Sequence, residues 1–159
     1  MTRALGIEER YGNMLAVESG ILVHGCNARG VMGAGIALQI RERFPAAFSV
    51  YLEAHRQSGL KLGTITWAPV GHNRIVVNAV TQDHYHHPDP EVVLVDYDAV
   101  ERAFESVRGL AERERLAVHF PLIGCGLARG KWEEVAPRIE RALGPGIEKY
   151  LWLREPKRG

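Results

Sequence analysis

Residues 23–40 read VHGCNARGVMGAGIALQI: an apolar run gives way to glycines and then to a pattern of helical period. A strand that ends in a glycine loop and reopens as a helix leaves several backbone N–H groups unpaired. It also aims the positive end of the helix dipole at the same spot. Gly33 and Gly35 permit a close approach and a positive φ, and Ala34 is small enough not to obstruct. The stretch therefore predicts a local anion site, for which phosphate is the natural occupant. His24, Cys26, Asn27 and Arg29 crowd the same turn with polar and reactive groups.

A second loop repeats the arrangement. Residues 116–122 predict a buried strand, IGCGLARG follows at 123–130, and a helix is expected over 131–143. Gly124, Gly126 and Gly130 punctuate this loop, and Cys125 sits inside it as Cys26 sits near the first. Two phosphate cradles in one small domain suggest a diphosphate ligand.

The remainder alternates short apolar runs with amphipathic ones. A weak strand pattern covers 4–10, and Gly12-Asn13-Met14 turns it into a loop. Ile36, Ile40 and Phe44 fall at helical spacing until Pro45 interrupts, and a second helix over 45–58 carries Phe48, Tyr51 and Leu52 before Gly59. Strands are expected at 64–69 and 74–80, joined by a Gly71-His72-Asn73 hairpin turn. The segment 81–90, TQDHYHHPDP, is polar, carries two prolines and predicts a functional loop. From Asp96 a helix presents Tyr97, Val100, Phe104, Val107 and Leu110 on one face, and a last strand is expected over 148–154. Strands and helices in alternation with one hairpin predict a layered α/β fold with a mixed sheet. Residues 1–159 make one domain with a charged, frayed tail at 155–159.

Composition narrows the function classes. A hydrophobic content of 46% with 25% charged residues is that of a globular domain rather than a disordered chain. Twenty Lys and Arg against nineteen Asp and Glu leave +1, so no global field draws nucleic acid or an anionic membrane and an anion must be held locally. No apolar run is long enough to span a bilayer and the N-terminus lacks a signal-peptide core, which predicts a cytoplasmic setting. Two cysteines distant in sequence suit free thiols. Neither glycine loop has the spacing and context of a dinucleotide fingerprint, and Gly-Lys-Ser/Thr, HExxH, paired CxxC and GxSxG are all missing. Asp83, His84, His86 and His87 invite a metal reading, but adjacent His86 and His87 do not aim at one ion, and no metal or cofactor is expected. A role in shaping the mouth of the site is the better expectation for this cluster.

GNML at 12–15, HGCNARGVMGAGIAL at 24–38, NAVTQ at 78–82, VDYDAVERAF at 95–104 and PLIGCGLARGKWEEV at 121–135 together resemble the macrodomain family over nearly the whole chain. The look is closest to its ADP-ribose 1″-phosphate phosphatases and its terminal ADP-ribose protein glycohydrolases. The resemblance implies a three-layer α/β/α fold with a central mixed sheet. It also implies a cleft for ADP-ribose, the diphosphate lying between the two loops and adenine and the distal ribose at opposite ends. In that frame Asn13 stands where most members have an aspartate for the adenine amino group, with Met14 beside it. Gly33, Ala34, Gly35 and Ile36 match the first phosphate loop; Gly124, Cys125, Gly126, Leu127, Ala128 and Arg129 match the second. Trp152 falls where an aromatic residue stacks on adenine, against the alternative that it covers a sheet edge.

Asn27 matches the asparagine near the distal ribose and is, with His24, the catalytic candidate to orient water or the leaving oxygen there. His24, in the HxCN setting of the phosphatase-like subgroup, is the candidate for proton transfer, against a structural role in the core. Arg129 replaces a frequent glycine and either clamps a phosphate or points to solvent. The glycohydrolase subgroup's lysine and aspartate are missing, the latter position being Ala128. A hydrolase acting at the distal ribose and a non-catalytic reader of ADP-ribosylated protein or nucleic acid therefore both stand, in a chain expected to be a monomer.

Overall fold

The computed structural model describes residues 6–154. The chain runs β1 (Ile7–Tyr11), a 3-10 turn (Met14–Ala16), β2 (Gly20–Asn27), α1 (Gly35–Arg43), α2 (Pro45–Ser58), β3 (Ile65–Pro69), β4 (Arg74–Gln82), α3 (Tyr97–Glu114), β5 (Val118–Phe120), α4 (Trp132–Leu143) and β6 (Lys149–Leu153). Six strands form one sheet in the order β1-β6-β5-β2-β4-β3. Every pairing is parallel except β3 with β4, which is the expected hairpin. The mixed sheet is as the alternation of elements predicts.

β2 reads as a continuous apolar run because both of its faces are covered. Ile21 and Val23 face the larger core, where Phe104, Val107, Val135 and Ile139 of α3 and α4 pack. Leu22 faces the opposite layer with Ile40, Phe44 and Ala47, and Cys26 lies with Met32 and Tyr51. These three layers place the C-terminal ends of β2, β4 and β5 at one edge of the sheet, where both glycine loops emerge.

Local chemistry sets the element ends. Pro45 opens α2 at a position where its missing N–H is harmless, and Gly59, at φ 76°, ends it. Asp96 caps α3 by accepting the Ala99 N–H at 2.9 Å. Asn73 takes the left-handed conformation in the hairpin at φ 55°.

Three boundaries differ from the sequence expectations. β4 continues through Thr81 to Gln82, because this part still pairs with β2 and the Thr81 carbonyl accepts the Asp96 N–H at 2.7 Å. The loop therefore begins at Asp83, not at Thr81. β5 is shorter than 116–122: Pro121 has no N–H for a ladder, and Pro121 and Leu122 belong to the turn. The first strand begins at Ile7, and the part of the expectation covering 4–5 lies outside the described residues, as does the tail at 155–159. No helix among the described residues is long and apolar enough to cross a membrane.

Candidate functional site

The first glycine loop leaves β2 at Asn27 and enters α1 at Gly35. Ala34 holds the N-cap position in extended conformation, and no side chain caps this helix. Its first N–H groups thus stay available to a ligand, as the sequence pattern implies. Gly35 has φ 58°, and a Cβ built on it would lie 3.9 Å from Leu127 Cδ1 in the second loop. The two loops therefore face each other. Leu127, 70% exposed at the tip of its loop, forms the opposite lip.

The second loop is closed by the Gly130 N–H donating to the Gly124 carbonyl at 2.6 Å. Gly124 has φ 76°, and a Cβ at either Gly124 or Gly130 would stand 2.5 Å from a Val95 methyl. These two glycines answer to the close approach of Val95. Ala128 is buried, and its carbonyl accepts the Leu94 and Val95 N–H groups at 2.9 and 3.3 Å.

At one end of the groove between the loops a cavity of about 590 Å³ is lined by Asn13, Met14, Ile36, Gln39, Pro121 and Trp152. Ile36 belongs to the start of α1 and Pro121 to the start of the second loop, so the cavity is continuous with both cradles. Trp152 is held rather than loose: its Nε1–H donates to His119 Nδ1 at 2.9 Å. That bond requires a neutral His119 with the proton on Nε2, and burial lowers its imidazole to about 4. Tyr150 stacks on His119 from the other side, ring centroids 5.1 Å apart. Trp152 thus lines the cavity and packs on the core at the same time. Asn13 Oδ1 accepts the Leu15 N–H at 2.9 Å and caps the 3-10 turn, leaving one lone-pair direction and the amide nitrogen for a ligand.

At the other end lies Asn27, 7% exposed. Its carboxamide donates to the Val31 carbonyl at 2.8 Å and accepts from the Arg29 N–H and the Tyr51 hydroxyl, both at 2.9 Å. The side chain shapes the first loop, with one amide hydrogen left over for a ligand. Burial pushes the Tyr51 phenol up, so it remains a donor.

His24 is not at the cleft surface. The imidazole is fully buried beneath α2, and its Nε2–H donates to Asn78 Oδ1 at 2.6 Å. Asn78 in turn donates to the Ala47 carbonyl at 2.9 Å and to Thr66 Oγ1 at 3.0 Å. Burial, opposed only by the Asn78 bond, lowers His24 to about 4. The residue type suited proton transfer, but the period-2 alternation of β2 turns this side chain into the same layer as Leu22 and Cys26. The structure places it as a neutral core histidine.

Arg129 also departs from both of its sequence alternatives. Its guanidinium neither faces the cradle nor hangs in solvent; it donates to the carbonyls of Asp89 at 2.7 Å, Val92 at 3.0 Å and His87 at 3.2 Å. Both cysteines are free thiols, and burial pushes Cys125 up to about 11. Among the described residues no group of three or more His, Cys, Asp or Glu side chains could hold a metal ion.

Sequence reasoning missed the residues that hold the named ones: Tyr51 for Asn27, Asn78 for His24, His119 for Trp152 and Val95 for the second loop. Asn78 and His119 left a signal, as single polar residues inside otherwise apolar runs.

Two facing glycine loops at one edge of the sheet, beside a pocket lined by a fixed indole, define a class: a three-layer α/β/α domain with a glycine-lined cleft. The Macro domain family model matches residues 23–139. The chain belongs to the macro domain family. It is 31% identical over 151 residues to a DNA ADP-ribosyl glycohydrolase of Thermus aquaticus, a match that covers 91% of this chain and 40% of that protein. It is 25% identical over 125 residues to an ADP-ribose 1″-phosphate phosphatase of Candida albicans, covering 76% of this chain and 80% of that protein. The solved macrodomain of Thermus aquaticus DarG superposes with a TM-score of 0.76 at 28% identity, over 94% of this chain and 98% of that one. The chain spans about two-fifths of the length of the first curated relatives it matches, 40% in each case.

Proposed function

We propose that this macrodomain binds ADP-ribose in the cleft and hydrolyses a derivative at the distal ribose. The observation that carries the reading is the opposition of Gly35 and Leu127 across the groove. It brings the uncapped α1 terminus and the second loop to the same spot, so that backbone N–H groups of both can address one diphosphate. Adenine then lies in the cavity against Trp152, with Asn13 at its edge. The distal ribose reaches Asn27, whose remaining amide hydrogen orients the oxygen to be released. The Asp83 carboxylate, paired with Arg29 of the first loop at 2.8 Å and exposed, is the candidate to take a proton from water. His24 acts in this scheme as a positioning residue for the end of β2, not as the proton carrier.

The names of the relatives supply the substrate classes: ADP-ribosylated DNA and ADP-ribose 1″-phosphate. Free thiols and the small net charge fit a monomer working in a reducing, cytoplasmic setting. One observation favours a second reading, a non-catalytic reader: the only sequence-predicted proton carrier is fully buried. The deciding experiment is calorimetry with ADP-ribose beside turnover of ADP-ribose 1″-phosphate, an ADP-ribosylated oligonucleotide and an ADP-ribosylated protein. Binding with turnover of one substrate supports the hydrolase, and binding with none leaves the reader. An absence of binding overturns both.

A further inference from the structure

Arg129 sits in a backbone conformation that ordinarily belongs to glycine, with φ 65°. A long side chain persists there when its surroundings over-determine it. What it does is tie down the connection between β4 and α3. That connection starts on the first loop, where the Ala28 N–H donates to the Asp83 carbonyl at 3.1 Å and Arg29 pairs with the Asp83 carboxylate. It ends on the second loop, where Leu94 and Val95 donate to the Ala128 carbonyl. Between these anchors the Arg129 fork takes three consecutive-turn carbonyls, those of His87, Asp89 and Val92. The Arg29–Asp83 pair is exposed on both sides and weak, so the guanidinium is the main fastening of the middle of the segment.

We propose that residues 83–92 form a strap joining the two glycine loops, and that Arg129 is the positioning residue that sets the loop separation for a diphosphate. The proposal rests on the ADP-ribose reading of the cleft. It gives Arg129 a role in binding without contact with the ligand. A lysine would not substitute, because one ammonium on a flexible stem cannot hold three carbonyls in a fixed fan as a planar fork does. The proposal also accounts for an arginine where a glycine would fit the backbone without strain.

The test uses Arg129→Gly and Arg129→Lys in the whole chain, followed by hydrogen–deuterium exchange, calorimetry with ADP-ribose and thermal unfolding. Glycine relaxes the left-handed backbone, so the unfolding midpoint of Arg129→Gly should stay within a few degrees of the parent. Exchange over 85–93 should rise at least about tenfold as the strap loosens. ADP-ribose affinity should fall about tenfold, the scale of one lost charge-assisted bond, and Arg129→Lys should not restore it. Saturating ADP-ribose should also slow exchange over 85–93 in the parent and fail to do so in Arg129→Gly, since coupling between strap and cleft is reciprocal. Parent-like affinity in Arg129→Gly with a loosened segment refutes the coupling. Unchanged exchange over 85–93 refutes the tie. Failure of the parent itself to bind ADP-ribose overturns the ligand assignment, and the exchange measurement on the free chains still decides whether Arg129 fastens the strap.

Discussion

Acidification should destabilise this domain well before its carboxylates titrate, and two histidines set the size of the effect. His24 and His119 are both buried and both held near 4, against 6.5 for a free imidazole. Their folded-state values are depressed, so the unfolded chain binds protons first as pH falls. The stability associated with neutral imidazoles is present above 6.5 and lost progressively between 6.5 and 4. At 1.36 kcal/mol per pH unit, going from pH 7 to pH 5 should remove about 2 kcal/mol through His24 and a similar amount through His119. Against a total stability on the order of 5–15 kcal/mol, a loss of roughly 4 kcal/mol is large. The His24→Leu variant should be less stable at pH 7, because the Asn78 side-chain carbonyl loses its donor, yet show about half the dependence on pH. Urea unfolding at pH 7, 6 and 5, followed by circular dichroism, measures all of this. A parent stability that changes by less than about 1 kcal/mol over that range would refute the reasoning, as would a His24 ring that titrates near 6.5 by NMR.

Gly124→Ala and Gly130→Ala each place a methyl 2.5 Å from Val95, so either should lower stability by about 2–3 kcal/mol in chemical denaturation; Val95→Ala should partly rescue Gly130→Ala. Trp152→Ala should weaken ADP-ribose by about tenfold or more in calorimetry through the lost stacking surface, with Trp152→Phe recovering most of it. Tyr51→Phe removes the hydroxyl that bonds the Asn27 side chain and carbonyl; it should reduce stability by about 1 kcal/mol and raise hydrogen exchange over 28–31. Asp83→Asn should reduce turnover of the productive substrate by at least about tenfold while ADP-ribose affinity stays within about threefold, measured as kcat against KM.

The architecture was legible because the signals that carry it are local. Apolar runs and period-3.6 patterns located the six strands and four α-helices of the described residues, and Pro45, Gly59 and Asp96 marked ends by their own backbone chemistry. The glycine loops were legible for the same reason: an uncapped helix start follows from the residues that precede it. What was not legible at the site was the direction of two side chains. His24 and Arg129 stand out by residue type, but residue type says nothing about where a side chain points. For His24 the answer lay in counting alternate positions from Leu22 to Cys26 along β2, all three on one face. For Arg129 it lay in a segment forty residues upstream, whose carbonyls no pattern within 123–130 announces.

The positions of His24 and Arg129 have a common physical sense. A cleft for a diphosphate is best built from backbone, because N–H groups at a helix start are fixed in place and need no ordering when the ligand arrives. Side chains near such a cleft then serve by immobilising the backbone that presents those groups. Asn27 does so for the first loop through Val31 and Arg29, Tyr51 does so for Asn27, and His119 does so for Trp152. Arg129 extends the same principle to the distance between loops, since the strap it fastens is anchored on both. Affinity in this domain should therefore respond more to residues one contact removed from the ligand than the small, mostly glycine and alanine lining of the cradles would suggest. The proposed hydrolysis is the exception: it needs a group that meets water, and Asp83, on the strap and paired with Arg29, is where the same arrangement leaves a carboxylate exposed.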